Sequence, residues 1–123
     1  VIDHAAKPAI AASDYPAADW CTAMAIMASM PNVYCKISGL PAEAAAGQAT
    51  EILTVYIHIL LKQFGAERLM WGSDWPVISL APNQQLSTYK NWLNLVHHAL
   101  SECKVSDMES VFIGTSLRFY QIT

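Results

Sequence analysis

Short, strongly apolar runs alternate along the chain with longer stretches in which polar residues recur every three or four positions, the pattern of strands separated by helices. Val1 to His4 opens the series as a strand-like run. A loop from Ala5 to Ser13 leads to Ser13-Asp14, a predicted helix N-cap, with Pro16 accommodated in the first turn and an Ala- and Met-rich helix running on to Met30. Trp20, Met24 and Met27 fall at helical spacing, which assigns them to packing against a sheet. Pro31-Asn32 breaks this helix, and Val33 to Ser38, bounded by Gly39 and Pro41, reads as a buried strand.

From Glu51 to Phe64 the residues Glu51, Thr54, His58 and Lys62 make one polar stripe on an otherwise apolar cylinder, so a helix is predicted with His58 on its solvated face. Gly65 stops it, and Arg68 to Ser73 is the next strand. The stretch from Ile78 to Ser87 is a long connection of the kind that covers an active site. A third long helix follows from Ser87 to Glu102, its apolar face carrying Tyr89, Trp92, Leu93, Val96 and Leu100, with Asn94, His97 and Ser101 opposite. Adjacent helical residues point about 100° apart, so His97 and His98 cannot share a chelate. Ser106-x-x-Glu109 predicts a capping box, and Gly114-Thr115 the restart of a helix ending near Tyr120. Strand and helix thus alternate three times, which predicts an α/β fold of parallel β/α units with the three long helices on one side of the strands.

Length and composition limit how complete such a fold is. The chain has 123 residues, is 54% hydrophobic and has no internal linker, so residues 1–123 read as one domain with more apolar surface than it can bury alone. A (β/α)8 barrel takes about 250 residues. Three β/α units would therefore make only part of such a barrel, a single partial domain that is either truncated or completed by association, as in a homo-oligomer.

Charge and cysteine content narrow the function classes. A net charge of −3, with 14% charged residues and scattered Lys and Arg, leaves no footprint for nucleic acid or an anionic membrane. Cys21, Cys35 and Cys103 are odd in number and lack CxxC spacing, which argues against a disulfide framework and a thiolate zinc site and for a reducing, cytoplasmic location. No basic-then-apolar leader and no run of about 18 apolar residues is present.

Chemistry concentrates in Met70-Trp71-Gly72-Ser73-Asp74-Trp75-Pro76-Val77, where an apolar run ends in a carboxylate set between two tryptophans and closed by a proline that cannot continue a sheet ladder. Asp74 either begins a turn or stands at the rim of a site. Lys36 lies in a strand otherwise built for burial, so its ammonium either meets a carboxylate on the inner face or snorkels outward between helices. His4 is either a satisfied histidine at the end of a core strand or a partner of Asp74, and Lys7 in the following loop is either solvated or a substrate contact.

Four landmarks occur in order: Val1-Ile2-Asp3-His4 with Lys7-Pro8; Pro31 to Leu40; Phe64 to Pro76; and Arg118-Phe119-Tyr120. Together they resemble the metal-dependent-hydrolase-like amidohydrolase 2 family, and within it the sugar-lactone and 2-pyrone-4,6-dicarboxylate lactonases. The resemblance implies that the strands are the sixth, seventh and eighth of a barrel, with His4 at the end of the sixth and Asp74 at the end of the eighth, so that the chain is the C-terminal part of a TIM-type (β/α)8 barrel whose N-terminal half is missing. It implies hydrolysis of a cyclic ester, a small-molecule lactone or cyclic carboxylate, with Asp74 as general base for water and His4 polarising the carbonyl. Lys7, Lys36, Ser38 and Trp75 are the expected substrate contacts.

The family's first-strand His-x-His pair has no counterpart here, so no metal is expected in this chain, although a divalent ion such as zinc in a full-length form and a metal-independent mechanism both remain open. The isolated chain is expected to be inactive. A metal-dependent decarboxylase of the same superfamily and a non-catalytic half-barrel serving as a binding or assembly module are the alternatives.

Overall fold

The computed structural model describes residues 1–12 and 16–123. Two short strands, β1 (Cys35–Ile37) and β2 (Leu69–Trp71), pair in parallel with Cys35 opposite Leu69 and Ile37 opposite Trp71. Ile2 extends the pairing on the other side of β1, giving its N–H to Tyr34 O at 2.8 Å and accepting from Lys36 N at 2.9 Å, a parallel bridge to Cys35. The first expected strand is thus one bridge long. Its continuation is diverted by a left-handed turn in which His4, Ala5, Ala6 and Lys7 all have φ between 50° and 59°.

Alternation divides the sheet into two faces. Cys35, Ile37 and Leu69, all fully buried, join the main apolar core, while Lys36 and Met70 lie opposite each other on the reverse face.

Helices α1 (Ala18–Ala28), α2 (Leu40–Glu43) and α3 (Glu51–Phe64) follow the strands, and α3 packs on both β1 and β2 with Leu53, Ile57, Leu60 and Phe64 buried. Its bounds are those that the polar stripe predicts, and Gly65, at φ 72°, terminates it by a backbone conformation that a side chain would strain. Helix α4 (Tyr89–Ala99) packs against α3, as does α1. The expected N-cap at Ser13-Asp14 lies outside the described residues. Pro16 precedes α1 and is not in its first turn, and α1 ends at Ala28, ahead of Pro31, because the residue before a proline is pushed out of helical conformation. Thr88 caps α4 by accepting from Asn91 N at 3.2 Å, so the helix starts two residues later than Ser87. Tyr89, assigned to the apolar face, is half exposed at the open first turn.

At the C-terminus, α5 (Val105–Glu109) has Lys104 as its N-cap with no side-chain cap bond, so Ser106 stands inside the helix and forms no capping box. A π turn over Ser110–Gly114 joins α5 to α6 (Thr115–Tyr120) without a break, and Gly114 is helical where a restart was expected. This rod crosses the entry to β2: Thr115 Oγ1 donates to Ala66 O at 3.0 Å, Ser110 Oγ donates to Glu67 Oε1 at 3.0 Å, and Arg118 pairs with Glu67. Tyr120 is thereby set under the face that carries Lys36. Among the described residues no helix is long and apolar enough to cross a membrane.

Candidate active site

Parallel strands deliver their ends to one side, and the loops leaving Ile2, β1 and β2 carry His4, Ser38 and Asp74 there. These three, with Asp3, Lys36 and Tyr120, line a cavity of about 240 Å³. His4 and Asp74 are not on adjacent strands, since β1 lies between the two, and Ser38 at the end of β1 fills the gap.

Four consecutive left-handed residues cost about 1–2 kcal/mol each for side chains other than glycine, so the turn at His4 must be held from outside. Lys7 N closes it on His4 O at 2.8 Å, Ala5 is fully buried, and Trp20 Nε1 donates to Ala5 O at 2.9 Å. The imidazole then lies directly against Gly39: a Cβ at that residue would sit 2.7 Å from His4 Nδ1, and φ at Gly39 is 69°. Only glycine leaves the ring room. At Gly72 an added Cβ would lie 3.1 Å from the Ser38 Cβ, a tight contact that crowds the serine without excluding it.

His4 Nδ1 is 2.9 Å from Ser38 Oγ and 3.8 Å from Asp74 Oδ1. Asp74 itself is left-handed, at φ 56°, and its carbonyl accepts from Ile78 N at 2.9 Å, so the residue opens a turn and presents its carboxylate to the cavity at once. The side chain is 13% exposed. Trp75-Pro76 is a cis peptide, and Trp75 is 74% exposed, outside the cavity lining.

Lys36 resolves in favour of the inner face. Its Nζ lies 2.8 Å from Asp3 Oδ1 and 5.6 Å from the Tyr120 ring centroid. Asp3, through its hydrogen bond, and then Tyr120 hold the ammonium above its ordinary pKa, while the hydrogen bond from Lys36 holds the Asp3 carboxyl below its own. Lys36 is therefore a fixed cation in the cavity wall. Lys7 does not reach this wall: 68% exposed, it pairs at 3.8 Å with Glu43. Burial pushes the Cys35 thiol up to about 12, which removes it as a nucleophile although it neighbours Lys36.

No local pattern assigns Asp3 or Tyr120 a role. A lysine in a buried strand calls for an anion, but it is the register, with Ile2 beside Cys35 and so Asp3 beside Lys36, that names which one. For Tyr120 no local signal existed, because its approach depends on the whole C-terminal rod.

Comparison with known proteins decides the family: the amidohydrolase family matches residues 1–122. The chain belongs to it. An L-fucono-1,5-lactonase of Burkholderia ambifaria is 42% identical over 99% of this chain and 41% of its own length, and one of Burkholderia multivorans is 35% identical over 99% and 43%. A crystal structure of an amidohydrolase from Burkholderia multivorans with bound zinc, 35% identical, superimposes with a TM-score of 0.88 over 98% of this chain and 43% of that one. The chain spans about two-fifths of the length of the relatives it matches.

Zinc in that neighbour raises the question whether this amidohydrolase chain fits one. A catalytic zinc takes about three protein ligands. Among the described residues no three His, Cys, Asp or Glu side chains gather as a metal site, and the cavity offers His4 and Asp74 with the Ser38 hydroxyl on Nδ1. These residues by themselves do not fit a zinc ion.

Proposed function

We propose that this chain carries part of the active site of a lactonase, hydrolysing a cyclic ester of the sugar 1,5-lactone class, and that residues 1–123 are one partial domain contributing three staves of a (β/α)8 barrel. The observation that carries the reading is the convergence of Asp74 and His4, 3.8 Å apart across the end of β1, in a cavity of an amidohydrolase whose relatives are named L-fucono-1,5-lactonases.

In the proposed reaction the Asp74 carboxylate takes a proton from water and the hydroxide adds to the lactone carbonyl. His4 donates a hydrogen bond to the oxygen as it becomes an alkoxide, and the Lys36 ammonium adds positive potential to the same cavity. The tetrahedral intermediate collapses by breaking the ring C–O bond, and the Asp74 carboxylic acid returns its proton to the leaving alkoxide. Acid, base and nucleophilic water thus need one carboxylate. Trp75 and Lys7 are left out of substrate contact in this reading, since both are turned to solvent. The three free thiols support a reducing, cytoplasmic location.

The test is lactone hydrolysis by a form that turns over substrate, with Asp74→Asn and His4→Ala compared. Asp74→Asn keeps the size and removes the base, so a loss of about a hundredfold or more is expected, with a smaller loss for His4→Ala. Near-normal turnover in Asp74→Asn would reduce Asp74 to a turn residue and end the proposal.

A further inference from the structure

The Ser38 hydroxyl was expected to touch substrate, yet its residue is 3% exposed and its oxygen has one hydrogen-bonding partner among the described residues, His4 Nδ1 at 2.9 Å. A buried hydroxyl carries a proton that must find an acceptor. Asp74 Oδ1, though 3.8 Å from Nδ1, forms no hydrogen bond with Ser38. If Nδ1 itself bore a proton, the serine could only accept from it, and its own O–H would have no acceptor among the described residues.

We propose that Ser38 is the positioning residue of this site: it donates its hydroxyl proton to His4 Nδ1 and so keeps the imidazole in the tautomer that carries hydrogen on Nε2. Gly39 and Gly72 are the rest of the seat, one leaving space for the ring and the other for the serine that orients it. Asp74 works against this assignment, because a carboxylate 3.8 Å from Nδ1 favours a proton there. The serine wins in the neutral ring because its bond is made at hydrogen-bond distance and the carboxylate's is not.

The consequence deepens the lactonase reading and rests on it. The nitrogen that the Ser38 bond leaves free, Nε2, is then a donor, as an oxyanion requires, and not a lone pair suited to a cation. Exchange of Ser38 therefore alters the chemical step and leaves substrate affinity largely alone.

The nitrogen-15 spectrum of the chain with labelled histidine tests the tautomer directly at a pH where the ring is neutral, the His4 signals being assigned by their loss in His4→Gln. The expected result is a protonated Nε2 and a bare Nδ1 in the wild type, with averaged shifts in Ser38→Ala as the two tautomers mix. Loss of fold in Ser38→Ala leaves the wild-type spectrum as the test. A protonated Nδ1 in the wild type overturns the proposal, as do unchanged His4 shifts in a folded Ser38→Ala. These spectra need no substrate, so their failure is distinct from a failure of lactone hydrolysis. In a form that turns over lactone, Ser38→Ala is expected to lower kcat tenfold or more with KM within about twofold, and a raised KM at unchanged kcat would restore Ser38 as a substrate contact.

Discussion

At the scale of single residues, the pair Asp3–Lys36 shows how a burial problem becomes a piece of a site. Lys36 could not stay unpaired in its strand, and the parallel register supplied Asp3. The bond gives a pH dependence whose sign follows from both partners. The Asp3 carboxyl is held below its ordinary 3.8, so its share of stability is present above that value and lost as pH falls through the depressed pKa. The Lys36 ammonium is held above its ordinary 10.5, so its share is present below that value and lost as pH rises through the raised pKa. Thermal unfolding of wild type and Asp3→Asn should therefore differ most between about pH 4 and pH 10 and converge outside that window. Asp3 is 59% exposed, so solvent screening keeps the difference small and salt should shrink it further. Equal separation of the two melting curves at pH 2 and pH 7 would count against the pair.

At the scale of elements, His58 was placed on a solvated stripe and is exposed, as its phase requires. The stripe did not reveal what the ring touches. Nε2 donates to Ala99 O at 2.7 Å, the final residue of α4, satisfying one of the carbonyls that a helix end leaves without an intrahelical donor. His58→Ala should leave lactone turnover unchanged and cost about 1 kcal/mol in denaturant unfolding, the usual net value of one hydrogen bond. No loss of stability, or a large loss of turnover, would contradict that division. The same limit explains the ends of the chain. Helix α3 was legible to the residue because glycine and a polar stripe are local signals. The capping box at Ser106 was not formed because Lys104 starts α5 earlier, and the left-handed turn at His4 was illegible because no glycine or asparagine marks it.

At the scale of the whole molecule, the apolar excess in the composition reappears as surface. The outer edge of β2 pairs with no strand among the described residues, and Trp71 at the end of β2 joins Tyr89, Leu93, Phe112 and Ile113, with Asn94 and His97, in lining a largely apolar groove of about 320 Å³. Such an edge favours association. Light scattering should give a mass above the 13.5 kDa of one chain, falling toward it in Ile113→Lys, whereas one mass of 13.5 kDa at every concentration would argue for a self-sufficient unit. The alternation of elements, the bounds of α3 and the parallel pairing of β1 with β2 followed from the sequence by itself, because periodicity and breakers record which side of an element is buried and where it stops, whereas the strand-end places of His4 and Asp74 came with the family resemblance. Which side chains meet was decided only by tertiary structure. The Ser38 bond to His4, the Asp3 bond to Lys36 and the approach of Tyr120 each depend on register and on loops closing between distant segments, and no local pattern encodes a distance between residues 33 positions or more apart.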